Sequence, residues 1–101
     1  MINIIFSQEY KNHDTGNHPE SIERIKVVNN LIKEEYSKHK HIEPTIADKK
    51  IISLVHDLEY VNKIYNSISN SGFTYFDPDT IASPNSLKSY LLAVGGSVDA
   101  V

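Results

Sequence analysis

Residues 13 to 24 read HDTGNHPESIER. His13 and His18, five apart and close to Asp14, could bind a metal. Zinc, however, takes three or four protein ligands, and the two histidines supply only two of them. Hydrogen-bonded loop histidines are the competing reading. Glu20 and Arg24 stand four apart; on a helix face such a pair contributes roughly 0.2–0.5 kcal/mol as a surface ion pair. Arg24 is the chain's single arginine. Farther along, Asp77 and Asp79 flank Pro78, where turn and cap chemistry competes with a role in a site, since Asp before Pro starts turns readily.

The 101-residue chain contains no cysteine, which removes disulfides, thiolate zinc sites and cysteine nucleophiles. A net charge of −3, with the lysines thinly spread, leaves no electrostatic footprint for nucleic acid. The short KHKH run at 38–41 reads as solvated loop. MINIIF is too short and lacks the basic flank of a signal peptide, and no apolar run reaches the length of a membrane span. A cytoplasmic protein without membrane or nucleic-acid partners is therefore expected.

The elements that must carry these residues can be read from periodicity. INIIF (2–6) predicts a buried strand, and the polar residues 7–18 a loop. From Pro19 the spacing predicts a helix, with Ile22, Ile25, Val28, Ile32 and Tyr36 as its apolar stripe. Pro19 suits the first helical position, and Glu20 and Glu23 suit the positive end of the dipole. HIEPTIADKK reads as a connection with at most a brief extended piece, and Asp48 as the cap of a short helix through KKIISLV. A further helix over LEYVNKIYNSI carries Leu58, Val61, Ile64, Tyr65 and Ile68. SNSGFTYFDPDTIASPNS reads as a long irregular stretch, of a kind that is uncommon unless it works or covers something. Ser83 before Pro84 offers a start for a last helix, in which Leu87, Leu91, Val94, Val98 and Val101 keep the period to the end. Gly95 and Gly96 inside that helix make sense if another backbone packs closely on them. A lone strand cannot satisfy its backbone groups, so a partial domain cut within an element is expected.

HDTGNHPESIER, LVHDLEYVNKI and FDPDTIASPNS running into LLAVGGSVDAV resemble, in order and spacing, the N-terminal part of histone deacetylase-like amidohydrolases. The similarity is strongest to the bacterial branch with acetoin-utilisation proteins and acetylpolyamine amidohydrolases. It implies an α/β fold: the N-terminal portion of an arginase/deacetylase-type three-layer α/β/α domain, mainly helical over residues 1–101 with one or two short strands. It also implies a zinc-dependent hydrolase of acetyl-lysine or acetylpolyamine amide bonds in the complete domain. His18, Pro19 and Glu20 match the family's HPE, on the loop lining the substrate tunnel. Arg24 matches the arginine of the internal channel that handles released acetate, a task suited to a guanidinium that stays charged and forks onto a carboxylate. Asp79 falls where the family carries a rim aspartate gripping substrate backbone, with Asp77 as rival for that place. His56 and Tyr60 match a His-x-x-x-Tyr motif read as scaffold. Ile22 stands where many relatives have proline.

None of the family's metal ligands or its tandem catalytic histidines can be matched in this chain. The resemblance thus implies no catalytic residue here, no zinc bound by this chain and no deacetylase activity of the chain alone. Two functions follow as expectations. One is the N-terminal fragment of a zinc-dependent deacetylase that needs a missing C-terminal portion. The other is a stand-alone, non-enzymatic module that self-associates through exposed apolar faces into a homo-oligomer.

Overall fold

A computed structural model describes residues 2–68 and 70–101; Met1 and Ser69, the first residues of the MINIIF run and of the predicted irregular stretch, lie outside the described residues. Strand β1 (Asn3–Ile5) leads through a 3-10 helix (Gln8–Asn12) to helix α1 (Ile22–Glu35) and strand β2 (Lys40–Ile42). β1 and β2 pair in parallel with Ile4 opposite His41, so α1 is the crossover of a β-α-β unit, as parallel neighbours require. Short α2 (Lys49–Ile52) and α3 (Leu58–Ser67) follow, then the antiparallel pair β3 (Thr74–Asp77) and β4 (Thr80–Ala82), and finally α4 (Ser86–Ala100).

Among the described residues four strands stand where one or two are expected. KHI (40–42) pairs with NII (3–5) although it lacks its own apolar alternation, because β1 supplies the missing hydrogen-bond partners. The predicted irregular stretch holds a hairpin. Its TYF and TIA runs have the aromatic and β-branched residues of strands, folded back by the Asp77–Thr80 turn.

Helix α1 begins at Ile22, not at Pro19. Ser21 is still extended, with φ −129° and ψ 158°. Local bonds hold the preceding residues in bends: the Thr15 hydroxyl donates to the Glu20 carbonyl, and the Glu20 N–H donates to His18 Nδ1 at 3.0 Å. Such side-chain bonds offer the backbone an alternative to helix. Asp48 does cap α2, accepting the Ile51 N–H at 3.1 Å. Ser83 does not cap α4; the Ser86 hydroxyl instead accepts the Ser83 N–H at 2.8 Å.

In α4 the buried face is mostly the small-residue side, and the periodic Leu/Val stripe is only part-covered. Ser86, Ser89, Leu92, Gly95 and Gly96 are buried, because the β2–α2 connection and the 3-10 helix lie against that side. A Cβ on Gly95 would stand 1.6 Å from the Thr45 carbonyl oxygen. The Ala47 N–H donates to the Leu91 carbonyl at 3.1 Å, and Asp99 accepts from the Thr45 N–H at 2.8 Å. The expectation that backbone packs on these glycines is met at Gly95 by the Thr45–Ala47 crossing, whereas Gly96 meets side chains of Tyr10, Ile5 and Pro44.

The apolar core is small: Ala47, Val61, Ala82 and Leu92. The molecule is a slab of 41 × 32 × 19 Å. Its accessible surface of 7160 Å² exceeds the roughly 5,800 Å² of a compact monomer of this mass. Leu54 and Val55 are about 80% exposed, and Leu58, Val27 and Leu31 also face outward. Among the described residues no helix is long and apolar enough to cross a membrane.

Candidate functional site

The loop from His13 to Ser21 is anchored on the start of α4. His13 Nδ1 lies 2.6 Å from the Ser86 hydroxyl, and the His13 ring meets Tyr90 edge-on with centroids 4.9 Å apart. The Ser83 hydroxyl accepts the Asp14 N–H at 3.1 Å and donates to the Asn12 carbonyl at 3.3 Å. Ser83 and Ser86 are both buried, and each hydroxyl is satisfied, as buried polar groups must be. Asp14 Oδ1 accepts the Gly16 N–H at 2.9 Å, closing a tight turn. Gly16 takes φ +71°, a left-handed conformation that glycine adopts without steric cost.

Past this anchor the loop brings predicted site residues together. His18 accepts the Glu20 N–H through Nδ1, which leaves Nε2 as the donor in the neutral ring. That nitrogen stands 3.9 Å from Asp79 Oδ1 on the β3–β4 turn. Asp79 is almost fully exposed and His18 mostly covered. Asp77 shapes the same turn: Oδ1 accepts the Asp79 N–H at 2.8 Å and Oδ2 the Thr80 hydroxyl at 2.9 Å. The two aspartates thus differ, with Asp77 folding the turn and Asp79 carried at its outer edge. Pro19 is exposed in the bend. His56 and Tyr60 stack at 5.7 Å on the far side of the groove described below.

Glu20 and Arg24 line an open cavity of about 310 Å³ with Tyr10, His13, Ser89 and Tyr90 among its other walls. Arg24 Nη1 is 3.4 Å from Glu20 Oε1, and about two-thirds of each side chain is exposed. The pair sits at the mouth of the cavity, where water screens it to about 1 kcal/mol or less. Burial holds the His13 pKa below 6.5, against the pull of Glu20 and Asp14, which favour the charged ring. Burial pushes the Tyr90 hydroxyl up; the nearby Ser86 hydroxyl opposes this, and Glu20 adds to it. A second, apolar groove of about 360 Å³ runs between α3, the hairpin and α4, and Tyr90 lines it as well. The Leu87, Leu91 and Val94 stripe of α4 faces this groove.

Sequence reasoning named His13 but missed its partners Ser86 and Tyr90, and the Ser83 hydroxyl that anchors the neighbouring Asp14 N–H. The available signal was ASPNS, in which two serines three apart straddle a helix start. Among the described residues no three His, Asp or Glu side chains are grouped so as to hold a metal ion.

A search among curated proteins found no match. In structure the chain is similar to the HDA15 HD domain, with a TM-score of 0.84 and 22% identity over 96% of this chain. It spans about 30% of the length of that chain. The likeness establishes the shared fold, a partial α/β deacetylase-type architecture. A family model for the histone deacetylase domain matches residues 18–101, from His18 of the site loop to the last residue. On that match, the chain belongs to the histone deacetylase domain family.

Proposed function

We propose that this chain forms the front wall of a deacetylase-type site for acetylated lysine or polyamine amides, and that the hydrolytic machinery lies in residues it does not contain. The observation that carries this is the meeting of His18 and Asp79, at 3.9 Å, beside a cavity lined by Glu20 and Arg24. His18, Pro19 and Glu20 form the tunnel wall. Asp79 grips substrate backbone at the rim, with Asp77 holding the turn that presents it. Arg24 receives the small carboxylate product, competing with Glu20 for the guanidinium.

The zinc of this family has no seat among the described residues. No donor group of three converges, and the Nδ1 atoms of His13 and His18 are already engaged by Ser86 and by the Glu20 N–H. The residues present do not fit the ion. The chain alone is accordingly proposed to be inactive.

The apolar faces of α1, α2 and α3 are proposed to be covered by the rest of a complete domain. Their exposure in this chain supports that reading and also a second one, association of copies when the chain is alone. Light scattering separates the two states, since a stable monodisperse monomer opposes self-association. The primary reading is tested on the gene. A reading frame that continues past codon 101 into paired histidines and an Asp-x-His motif supports it. A complete gene without them, whose product is active, opposes it.

A further inference from the structure

Between α2 and α3 the chain turns outward at Leu54 and Val55, which are 79% and 82% exposed. Ile51 and Leu58, on either side of this tip, are exposed as well. The turn is not loose. The Ser53 N–H donates to the Lys49 carbonyl at 2.9 Å and the Leu54 N–H to the Ile51 carbonyl at 3.2 Å. The Val55 and His56 N–H groups donate to the Ile52 carbonyl at 3.2 and 3.1 Å. Drawing the two side chains inward would break this set of backbone bonds, so the apolar tip is held in water by its own backbone. Water makes that exposure unfavourable, and a tip already fixed in shape loses little entropy when it is covered.

The residues from 50 to 59 read KIISLVHDLE. Counted outward from the middle, Leu54 matches Val55, Ile51 matches Leu58, and Lys50 matches Glu59. The exposed apolar residues are thus paired with each other, and the flanking cation with an anion. Lys50 and Glu59 are both exposed, one in α2 and the other in the first turn of α3. Ile52 and His56, which break the pattern, line the apolar groove instead. A segment of this kind is complementary to itself under a two-fold rotation, in which residue i touches j and j touches i. The area suffices for such a contact. The chain exposes about 1,400 Å² more than a compact monomer of its mass, and a stable interface takes roughly 800 Å² from each partner.

We propose that two copies of this chain associate about a two-fold axis at the Leu54–Val55 tip, with Ile51 against Leu58 and Lys50 beside Glu59 of the second copy, each contact made twice. Leu54 and Val55 form the dry centre and the two charge pairs the rim, the division that specific interfaces show. Because the rotation closes, association stops at the dimer. The inference deepens the reading that copies associate when the chain is alone, and rests on it.

The experiment is sedimentation equilibrium of the unmodified chain over a wide concentration range, with circular dichroism as the check of fold in each variant. A monomer–dimer equilibrium is expected. Leu54→Ser should weaken it at least about thirtyfold, as loss of a central anchor does. Val27→Ser on the exposed face of α1 should leave it unchanged. Lys50→Glu and Glu59→Lys should each weaken the dimer several-fold, since two rim pairs become repulsive. An equimolar mixture of these two variants should restore it, because both rim pairs are then of opposite charge again. This mixing test does not depend on the apolar variant folding. A chain that stays monomeric at every concentration overturns the association reading and this contact together. A dimer that Leu54→Ser leaves intact and Val27→Ser disrupts overturns the contact and leaves association standing. Failure of the mixture to restore the dimer, or growth beyond a dimer with concentration, overturns the two-fold arrangement.

Discussion

Replacing Gly95 by alanine tests how the fold is held together. In an open helix the change should stabilise by about 1 kcal/mol, because glycine loses more backbone entropy than alanine. Here the new Cβ would lie 1.6 Å from the Thr45 oxygen, 2.7 Å from the Thr45 carbonyl carbon and 3.1 Å from the Ala47 nitrogen. All three atoms are backbone, so no rotamer change relieves the overlap. If the crossing stays, overpacking costs about 1–3 kcal/mol or more. If it lifts, the Ala47 N–H loses the Leu91 carbonyl, and Thr45 loses two bonds to the Asp99 carboxylate. Bonds of these kinds contribute about 1 kcal/mol each, and more to a charged acceptor. After subtraction of the propensity gain, the net loss is about 2–4 kcal/mol, a large share of the stability a chain with so small a core can have. Gly96→Ala is the internal control: the atoms nearest its Cβ are side-chain atoms of Tyr10, Ile5 and Pro44, at 3.1–3.2 Å, and it should stay within about 1 kcal/mol of the parent. Urea unfolding followed by circular dichroism measures both. A Gly95→Ala protein as stable as the parent, or a Gly96→Ala protein equally damaged, would refute the reasoning.

Asp48→Ala removes the oxygen that accepts the Ile51 N–H and should cost about 1 kcal/mol by the same assay, with loss of protection of the Ile51 amide in hydrogen exchange. Ser86→Ala leaves the Ser83 N–H and His13 without a buried partner and should cost about 1–3 kcal/mol in the same unfolding series. Because burial lowers the His13 pKa in the folded state, the unfolded chain binds more protons between that value and 6.5. Stability should therefore fall as pH drops below the ordinary histidine range, and His13→Gln should flatten that slope in thermal melts. Asp79→Ala removes an exposed carboxylate with one long contact to His18; it should leave the melting temperature nearly unchanged while altering the His18 ring shifts.

What could be read from the sequence was set by local periodicity. The α1 and α3 stripes, the Asp48 cap and the need for small residues at 95 and 96 follow from rules that act within a few positions. Pairing partners do not: KHI becomes a strand only because NII lies beside it. The α1 start was misread at Pro19 because Thr15 and His18 compete for the Glu20 backbone, which propensity alone does not reveal. The Leu/Val period of α4 does not reveal that its other side is the buried one, because the packing partner there includes backbone, which demands Ser and Gly and not bulk. At the site, HPE and Arg24 stood out by residue type. The Ser83–Ser86 pair and the Tyr90 ring that hold His13 did not, since the serines of ASPNS read as a helix start until the loop is folded onto them. The Glu20–Arg24 pair is partly exposed at a cavity mouth, an arrangement between the surface pair and the channel arginine that the sequence left as alternatives.

The central claim is that this polypeptide lines a hydrolytic site without performing the hydrolysis. The most direct measurement is zinc content and turnover of an acetyl-lysine reporter by the purified chain after equilibration with excess zinc and desalting. The account predicts substoichiometric zinc and no turnover above the metal alone. One zinc per chain together with reporter hydrolysis that Arg24→Ala or His18→Ala abolishes would contradict it.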